Sequence, residues 1–255
     1  MSRAEPRASR PVAAVERAVA VLEALADADG DLGTNEIARR TRINPSTVSR
    51  LLATLGGAGL VAHSAETGRY RLGLRMLHYG NAVLSRLDLR EVTREHLQML
   101  TTATGETATL SVAGGGTALT GDFVQSPASV QSVATLGRPS VAHATAVGKV
   151  MLAFTDQRPD APLTAFTDAT ITDPDRLHDE VERTRQQGWA DATGEREQDL
   201  HAVAVPVRNA DGALLAILGV QGPSWRFGAD ERRAAIEHLQ RAARQIGATF
   251  AGRPG

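Results

Sequence analysis

The stretch Asn44-Pro45-Ser46-Thr47-Val48-Ser49-Arg50-Leu51-Leu52 constrains this chain more than any other. Asn44 is suited to accept from the free N–H groups of a first helical turn, and Pro45 falls where a missing N–H costs nothing. Val48, Leu51, Leu52 and Leu55 follow at i, i+3, i+4 and i+7, one apolar stripe to bury. The opposite face carries Ser46, Thr47, Ser49, Arg50 and Thr54 and no acid. Neutral hydroxyls beside one guanidinium suit phosphate oxygens and base edges. Taken alone, the helix is equally well read as an ordinary exposed face.

Its neighbours shift the balance. Thr34 can cap a short helix that carries Glu36 and buries Ile37 and Ala38, and Thr41-Arg42-Ile43 makes a tight connection into Asn44. Two short helices so joined read as a helix-turn-helix whose second member is the recognition helix. Val15, Ala18, Val19, Leu22, Leu25 and Ala26 recur at helical spacing and predict a first helix beneath the pair. After Gly59, Val61–Ser64 and Arg69–Leu72 predict a hairpin turned by Ala65-Glu66-Thr67-Gly68. Three helices and a basic hairpin make a winged helix-turn-helix, with Arg69 and Arg71 reaching backbone phosphates or a minor groove.

The net charge is only −1, so its distribution matters. Residues 1–88 hold 12 Arg against 9 Asp and Glu, and the acidic excess lies in the remainder. A basic front and an acidic back fit a DNA module joined to something else. The chain has no Cys, which excludes disulfides, zinc fingers and thiol catalysis and permits a cytoplasmic location. Its seven His are scattered without ligand spacing, no apolar run approaches the roughly 18 residues of a membrane helix, and no hydrophobic signal core follows Met1. Residues 1–11 are Pro, Arg and Ser rich and are expected to be a disordered tail.

Leu74, Leu77, Val83, Leu84 and Leu87 predict a linker helix over 74–88, and Val92, His96, Leu97 and Leu100 predict the opening helix of a second domain, with the boundary at Asp88. From Glu106 the period changes to two: Ala108, Leu110 and Val112 alternate with Thr107, Thr109 and Ser111, and Gly114-Gly115-Gly116 turns the strand back. A second hairpin runs through Ala202–Val207, turns at Asn209–Gly212 and returns through Ala213–Val220. Helices are expected near Ala144–Phe154, after Asp173-Pro174, and over Ala229–Phe250. The fold class is therefore α+β: a winged helix-turn-helix over 12–73, the linker helix, and an antiparallel sheet flanked by helices over 89–255.

Several separated motifs resemble one family in the same order. Glu36-Ile37-Ala38-Arg39-Arg40 with Ser46–Leu55 resembles the DNA-binding core of the IclR family of bacterial transcriptional regulators, His143-Ala144-Thr145-Ala146-Val147-Gly148-Lys149 its HATAxGK helix start, and Ala202–Val207 with Gly222-Pro223 its AAPV and SGP segments. The likeness spans roughly residues 12–250. It implies a GAF-like effector-binding C-terminal domain, a homodimer or homotetramer on double-stranded operator DNA, repression rather than activation, and no cofactor. Arg17, Thr34, Pro45, Ser46, Thr47, Ser49, Arg50, Arg69 and Arg71 are the candidate DNA contacts.

The small side chains of Ala144–Gly148 leave a helix N-terminus approachable, a place that favours a carboxylate. Close helix-to-sheet packing would serve the same residues. The resemblance points the effector to Ala146, Val147, a loop from Asp191 to Glu195, Ala202, Gly219 and Gln221. Family members that bind very small oxo-acids have hydroxyl and thiol side chains where this chain has Ala202, Gly219 and Gln221. Fewer donors and more space suggest a larger acid, aromatic ones included. A phosphate loop at Gly148-Lys149 fails, because His143 stands where the first Gly is needed and Val150 follows the lysine. Lys149 is the only lysine, yet no acid or cation partner for Schiff-base chemistry is evident, so an enzyme is not expected. The rival expectation is a ligand-independent DNA-binding protein whose C-terminal domain only oligomerises.

Overall fold

A computed structural model of the chain describes residues 12–86, 89–159 and 162–250, with the backbone alone for 81–86. The expected N-terminal tail, Leu87 and the boundary residue Asp88 lie outside the described residues. The chain divides into two compact units, Met1–Arg86 and Leu87–Gly255.

In the first unit, α1 (Ala13–Ala26), α2 (Thr34–Thr41) and α3 (Pro45–Gly57) precede a hairpin of β1 (Val61–Ser64) and β2 (Arg69–Leu72). Val61 pairs with Leu72 and Ser64 with Arg69, and Leu32 adds a one-residue bridge to Tyr70 on the hairpin's free side. The helices and hairpin close over Val21, Leu25, Leu32, Ile37, Val48, Leu52, Leu55 and Val61. Two expectations are corrected. The buried face of α1 is Ala18, Val21, Leu22 and Leu25, whereas Val15 and Val19 are exposed. Alpha1 is apolar on more than one side, so spacing alone cannot say which stripe is covered. Thr34 is the first residue of α2 rather than its cap; Gly33 stands at the cap with no side chain to offer. A further helix, α4 (Arg75–Arg86), follows the hairpin, with Leu74 and Leu77 exposed.

The second unit opens with α5 (Leu89–Thr104), then β3 (Thr107–Gly114), β4 (Thr117–Val124), β5 (Pro139–Ser140), α6 (Ala146–Phe154), α7 (Pro174–Gln187), β6 (Ala190–Thr193), β7 (Leu200–Arg208), β8 (Leu214–Pro223) and α8 (Ala229–Thr249). The six strands form one antiparallel sheet in the order β5-β4-β3-β8-β7-β6. Because side chains alternate along a strand, its two faces differ in chemistry. Ala108, Leu110, Val203, Val205, Ala216, Leu218 and Val220 face α5 and α8 and join Leu97, Leu239 and Ile246 in the larger core. On the opposite face Ala204 and Ile217 pack beneath Val150 and Met151 of α6 and Leu177 of α7. That face also carries the hydroxyls of Thr107, Thr109 and Ser111, all three buried.

Candidate functional site

Two places gather polar chemistry: the outward face of α3 and a cavity beside the start of α6.

Alpha3 starts as its sequence dictates. Asn44 Oδ1 accepts from the Thr47 N–H at 2.8 Å and from the Ser46 hydroxyl at 3.0 Å, with Pro45 in the first turn. Ser46, Ser49 and Arg50 are exposed, Thr47 is half-buried, and the Thr54 hydroxyl bonds back to the Arg50 carbonyl at 3.1 Å. Arg42, in the turn between α2 and α3, has a left-handed backbone at φ 56°. The two hairpin arginines differ. Arg69 donates to the Asp31 carbonyl at 3.1 Å and to the Glu36 carboxylate at 3.1 Å, tying β2 to α2. Arg71 has only a long ion pair with Asp31, 3.6 Å, and its side chain is 64 % exposed against 41 % for Arg69. Arg17 is exposed on α1 and Thr34 is half-buried at the start of α2.

The cavity has a volume of about 320 Å³. Thr145 caps α6: its hydroxyl oxygen accepts from the Gly148 N–H at 3.0 Å and its hydroxyl donates to the Val141 carbonyl at 2.9 Å. The helix therefore begins two residues later than the composition suggested. The N–H groups of Ala146 and Val147 are left unclaimed by the helix, and both residues line the cavity. Gly148 shows that close packing operates here too, because a Cβ would meet the Val141 carbonyl at 2.5 Å. The same holds across the sheet at Gly219, where a Cβ would stand 2.9 Å from the Thr109 hydroxyl and 3.4 Å from Val147. Gly219 therefore packs under α6 and is not part of the cavity lining; Asp191 is outside it as well.

Glu195, Ala202 and Gln221 do line the cavity. Ala202 and Gln221 face each other across β7 and β8, and the Gln221 amide donates to the Ser132 hydroxyl at 2.7 Å. Glu195 is only 7 % exposed, and its loop is held by Thr170, whose hydroxyl donates to the Glu195 carbonyl at 2.6 Å. Its Oε1 accepts from Lys149 Nζ at 2.7 Å. Lys149, 1 % exposed, also donates to Glu180 at 3.2 Å and to the Asp191 carbonyl at 2.9 Å, and Arg183 pairs with the second oxygen of Glu180. Buried Lys149, Glu180 and Glu195 thus form one cluster, with Arg183 pairing with Glu180 from the surface. Burial pushes the Glu195 carboxyl above its ordinary value, with Lys149 opposing the rise and Glu180 adding to it.

The expectation that Lys149 lacks an acid partner is corrected by these two glutamates. Their carboxylates take up its hydrogen-bonding capacity, the opposite of what a nucleophilic amine needs. The expectation of few donors is corrected as well. Thr109, Ser111, Thr120, Thr135, Ser140, Arg138 and Arg196 surround the cavity. The alternation of Thr107, Thr109 and Ser111 was the available signal, and only the pairing of β3 with β8 reveals which site those hydroxyls serve. Arg196 stacks over Phe166 at 4.1 Å and Arg138 pairs with Glu197 at 3.6 Å. Among the described residues no group of three or more His, Cys, Asp or Glu could hold a metal, and no helix is long and apolar enough to cross a membrane. Trp189 packs against the core on the other face of the sheet, and Trp225 is exposed beside Arg226, so neither is in the cavity.

The model of the IclR helix-turn-helix domain matches residues 14–65, and that of the bacterial transcriptional regulator IclR C-terminal domain matches residues 81–248. The chain belongs to the IclR family. It is a DNA-binding transcriptional regulator and not an enzyme. This IclR-family chain is 30 % identical over 237 residues to the HTH-type transcriptional regulator XynR of Escherichia coli, covering 91 % of this chain and 94 % of the relative. It is 30 % identical to BhcR of Paracoccus denitrificans over 92 % of this chain and 86 % of that one. Among solved structures, a Silicibacter protein assigned to the IclR transcriptional regulators superposes with a TM-score of 0.83 at 28 % identity, covering 95 % of this chain and 98 % of the other. An IclR homolog from Microbacterium hydrocarbonoxydans complexed with 4-hydroxybenzoate shares the fold at 24 % identity, with a TM-score of 0.76 over 92 % and 98 % of the two chains.

Proposed function

We propose that this regulator is a cytoplasmic repressor that binds a pseudo-palindromic operator as a homodimer or homotetramer and is controlled by a small organic acid in the cavity beside α6. The observation that carries the DNA half is the capped α3 with its acid-free exposed face, preceded by α2 and followed by the hairpin. Ser46, Thr47, Ser49 and Arg50 are assigned to base edges and adjacent phosphates, with Pro45 setting the helix start. Arg17, Thr34 and Arg71 are assigned to the backbone. Arg69 is assigned there only in so far as it can leave Glu36. Residues 74–88 are assigned as the linker through which ligand shifts the population of recognition-helix spacings.

The ligand half rests on the unclaimed N–H groups of Ala146 and Val147 opening into a cavity of about 320 Å³. Pockets of roughly 300–1,000 Å³ bury sizeable ligands, so an aromatic acid fits, whereas a two-carbon acid would fill little of it. A mobility-shift titration of the DNA adjoining its own gene, with and without a panel of aliphatic and aromatic carboxylates, tests both halves. Specific retardation relieved by one class of acid is expected. Retardation indifferent to every acid would leave a C-terminal domain that only oligomerises.

A further inference from the structure

Among the described residues Arg42 is the one non-glycine with a left-handed backbone, at φ 56°. A Cβ in that region crowds the neighbouring carbonyl, so helices that leave through it do so at less cost on glycine or asparagine. The exit of α7 follows the rule with Gly188 at φ 77°, whereas the exit of α2 places an arginine in the same conformation. A strained residue kept at a turn calls for a reason outside the turn itself.

The fold supplies none. Arg42 is exposed and forms no ion pair or side-chain hydrogen bond among the described residues. Glu36, the one acid of α2, is held by Arg40 and Arg69 at 3.2 and 3.1 Å. A cation near the last carbonyls of α2 is favoured by the helix dipole, but Arg39 and Arg40 in the last turn already provide it. A glycine at position 42 would serve the α2 exit at least as well as the arginine does.

Its position in the chain supplies one. Arg42 stands two residues before Asn44, which caps α3, and residues 43–49 carry no charge, so Arg42 and Arg50 bracket the leading half of that helix. The recognition helix of a helix-turn-helix meets the major groove with its N-terminal residues, and the turn leading into it lies at the groove's edge among backbone phosphates. A guanidinium there matches phosphate oxygens in charge and geometry. We propose that Arg42 is a further DNA contact, a clamp on one backbone phosphate at the entry to α3, and that this contact is what retains an arginine in a left-handed turn. The proposal rests on the assignment of α3 to DNA made above and is independent of the effector. A phosphate contact carries no sequence information, so it acts on any duplex.

The test titrates the full-length protein onto fluorescent duplexes, the DNA adjoining its own gene and an unrelated sequence of the same length, between about 50 and 200 mM salt. Arg42→Gly and Arg42→Asn remove the cation but accept the left-handed turn, Arg42→Lys keeps a charge there, and Arg241→Asn on α8 controls for net charge. Both neutral variants should melt no lower than the parent, bind each duplex at least about threefold more weakly at the lowest salt, and lower the slope of log affinity against log salt by about 0.9. Arg42→Lys and Arg241→Asn should keep the parent's slope. Unchanged slopes in the neutral variants overturn the inference, and a fall in melting temperature without one in slope returns Arg42 to the fold. A loss confined to the DNA adjoining the gene also overturns it, because the contact would then read bases. Arg50→Ala separates two kinds of failure: if it weakens binding where the neutral Arg42 variants do not, this contact alone falls, and if neither weakens it, the assignment of α3 to DNA falls as well.

Discussion

The outward face of α3 and the wall of the cavity beside α6 are both polar, and they are polar in opposite ways. On α3 Ser46, Ser49 and Arg50 are exposed, and the helix's own needs are met locally by Asn44. Beside the cavity the carboxylate of Glu195 is removed from solvent and its charge is matched by buried Lys149, which also binds Glu180. The first surface can be altered without disturbing the fold; the second is part of what holds the unit together. A site read by DNA can be laid on a finished scaffold, whereas a site that encloses a small molecule shares its residues with the core.

The sharpest way to test this contrast is Lys149→Met. Removing the ammonium leaves Glu180 and Glu195 buried with too little compensation, a loss of about 3–5 kcal/mol. For a domain of this size it should lower the melting temperature by about 10 °C in a calorimetric scan. A variant that melts with the parent would mean that the buried cluster is not structural.

Next in size is Arg50→Ala on the other surface. Loss of a base or phosphate contact should weaken operator binding about 10- to 100-fold, with melting temperature and acid binding unchanged. Unaltered operator affinity in a mobility-shift titration would remove Arg50 from the interface.

Sequence legibility divides along the same line. The start of α3, the hairpin register from Val61 to Leu72 and the buried pair Ile37 and Ala38 follow from cap, turn and period over a few residues. The buried face of α1 does not, because Val15, Ala18, Val19, Val21, Leu22 and Leu25 satisfy more than one helical stripe, and packing against α2, α3 and the hairpin decides between them. The cavity was legible at Ala146 and Val147, where local composition and family motif coincide. Gln131, Arg138 and the hydroxyls of β3 were not: the first two come from the segment between β4 and β5, and the hydroxyls join Ala202 and Gln221 only through pairing of β3 with β8, strands more than a hundred residues apart. A pairing of that kind leaves no local trace.

Glu195 offers a smaller effect that sharpens the buried half. Burial raises its pKa, so on acidification it takes up a proton above the ordinary carboxylate range. The folded chain therefore binds that proton more readily than the unfolded one, and relative to Glu195→Gln the parent should gain melting temperature as the pH falls through the raised pKa towards the ordinary carboxylate range. A constant difference between the two melting temperatures across that window would detach the titration from Glu195.

The smallest effects separate two arginines two residues apart on one strand. Arg69 bonds the Asp31 carbonyl and Glu36, so Arg69→Ala should lower the stability of the N-terminal unit by about 1 kcal/mol. Arg71 is mostly exposed with one long ion pair, so Arg71→Ala should leave stability within about 0.5 kcal/mol. On DNA the order reverses. If Arg71 neutralises one phosphate, its loss should reduce the slope of log affinity against log salt by about 0.9. Arg69→Ala should change that slope less, because its charge is already engaged with Glu36. Equal slopes for the two variants would mean that the Arg69–Glu36 pair opens on DNA and that the wing grips with both arginines. The structural tie between β2 and α2 would then be exchanged for a phosphate contact, coupling the hairpin's position to operator binding.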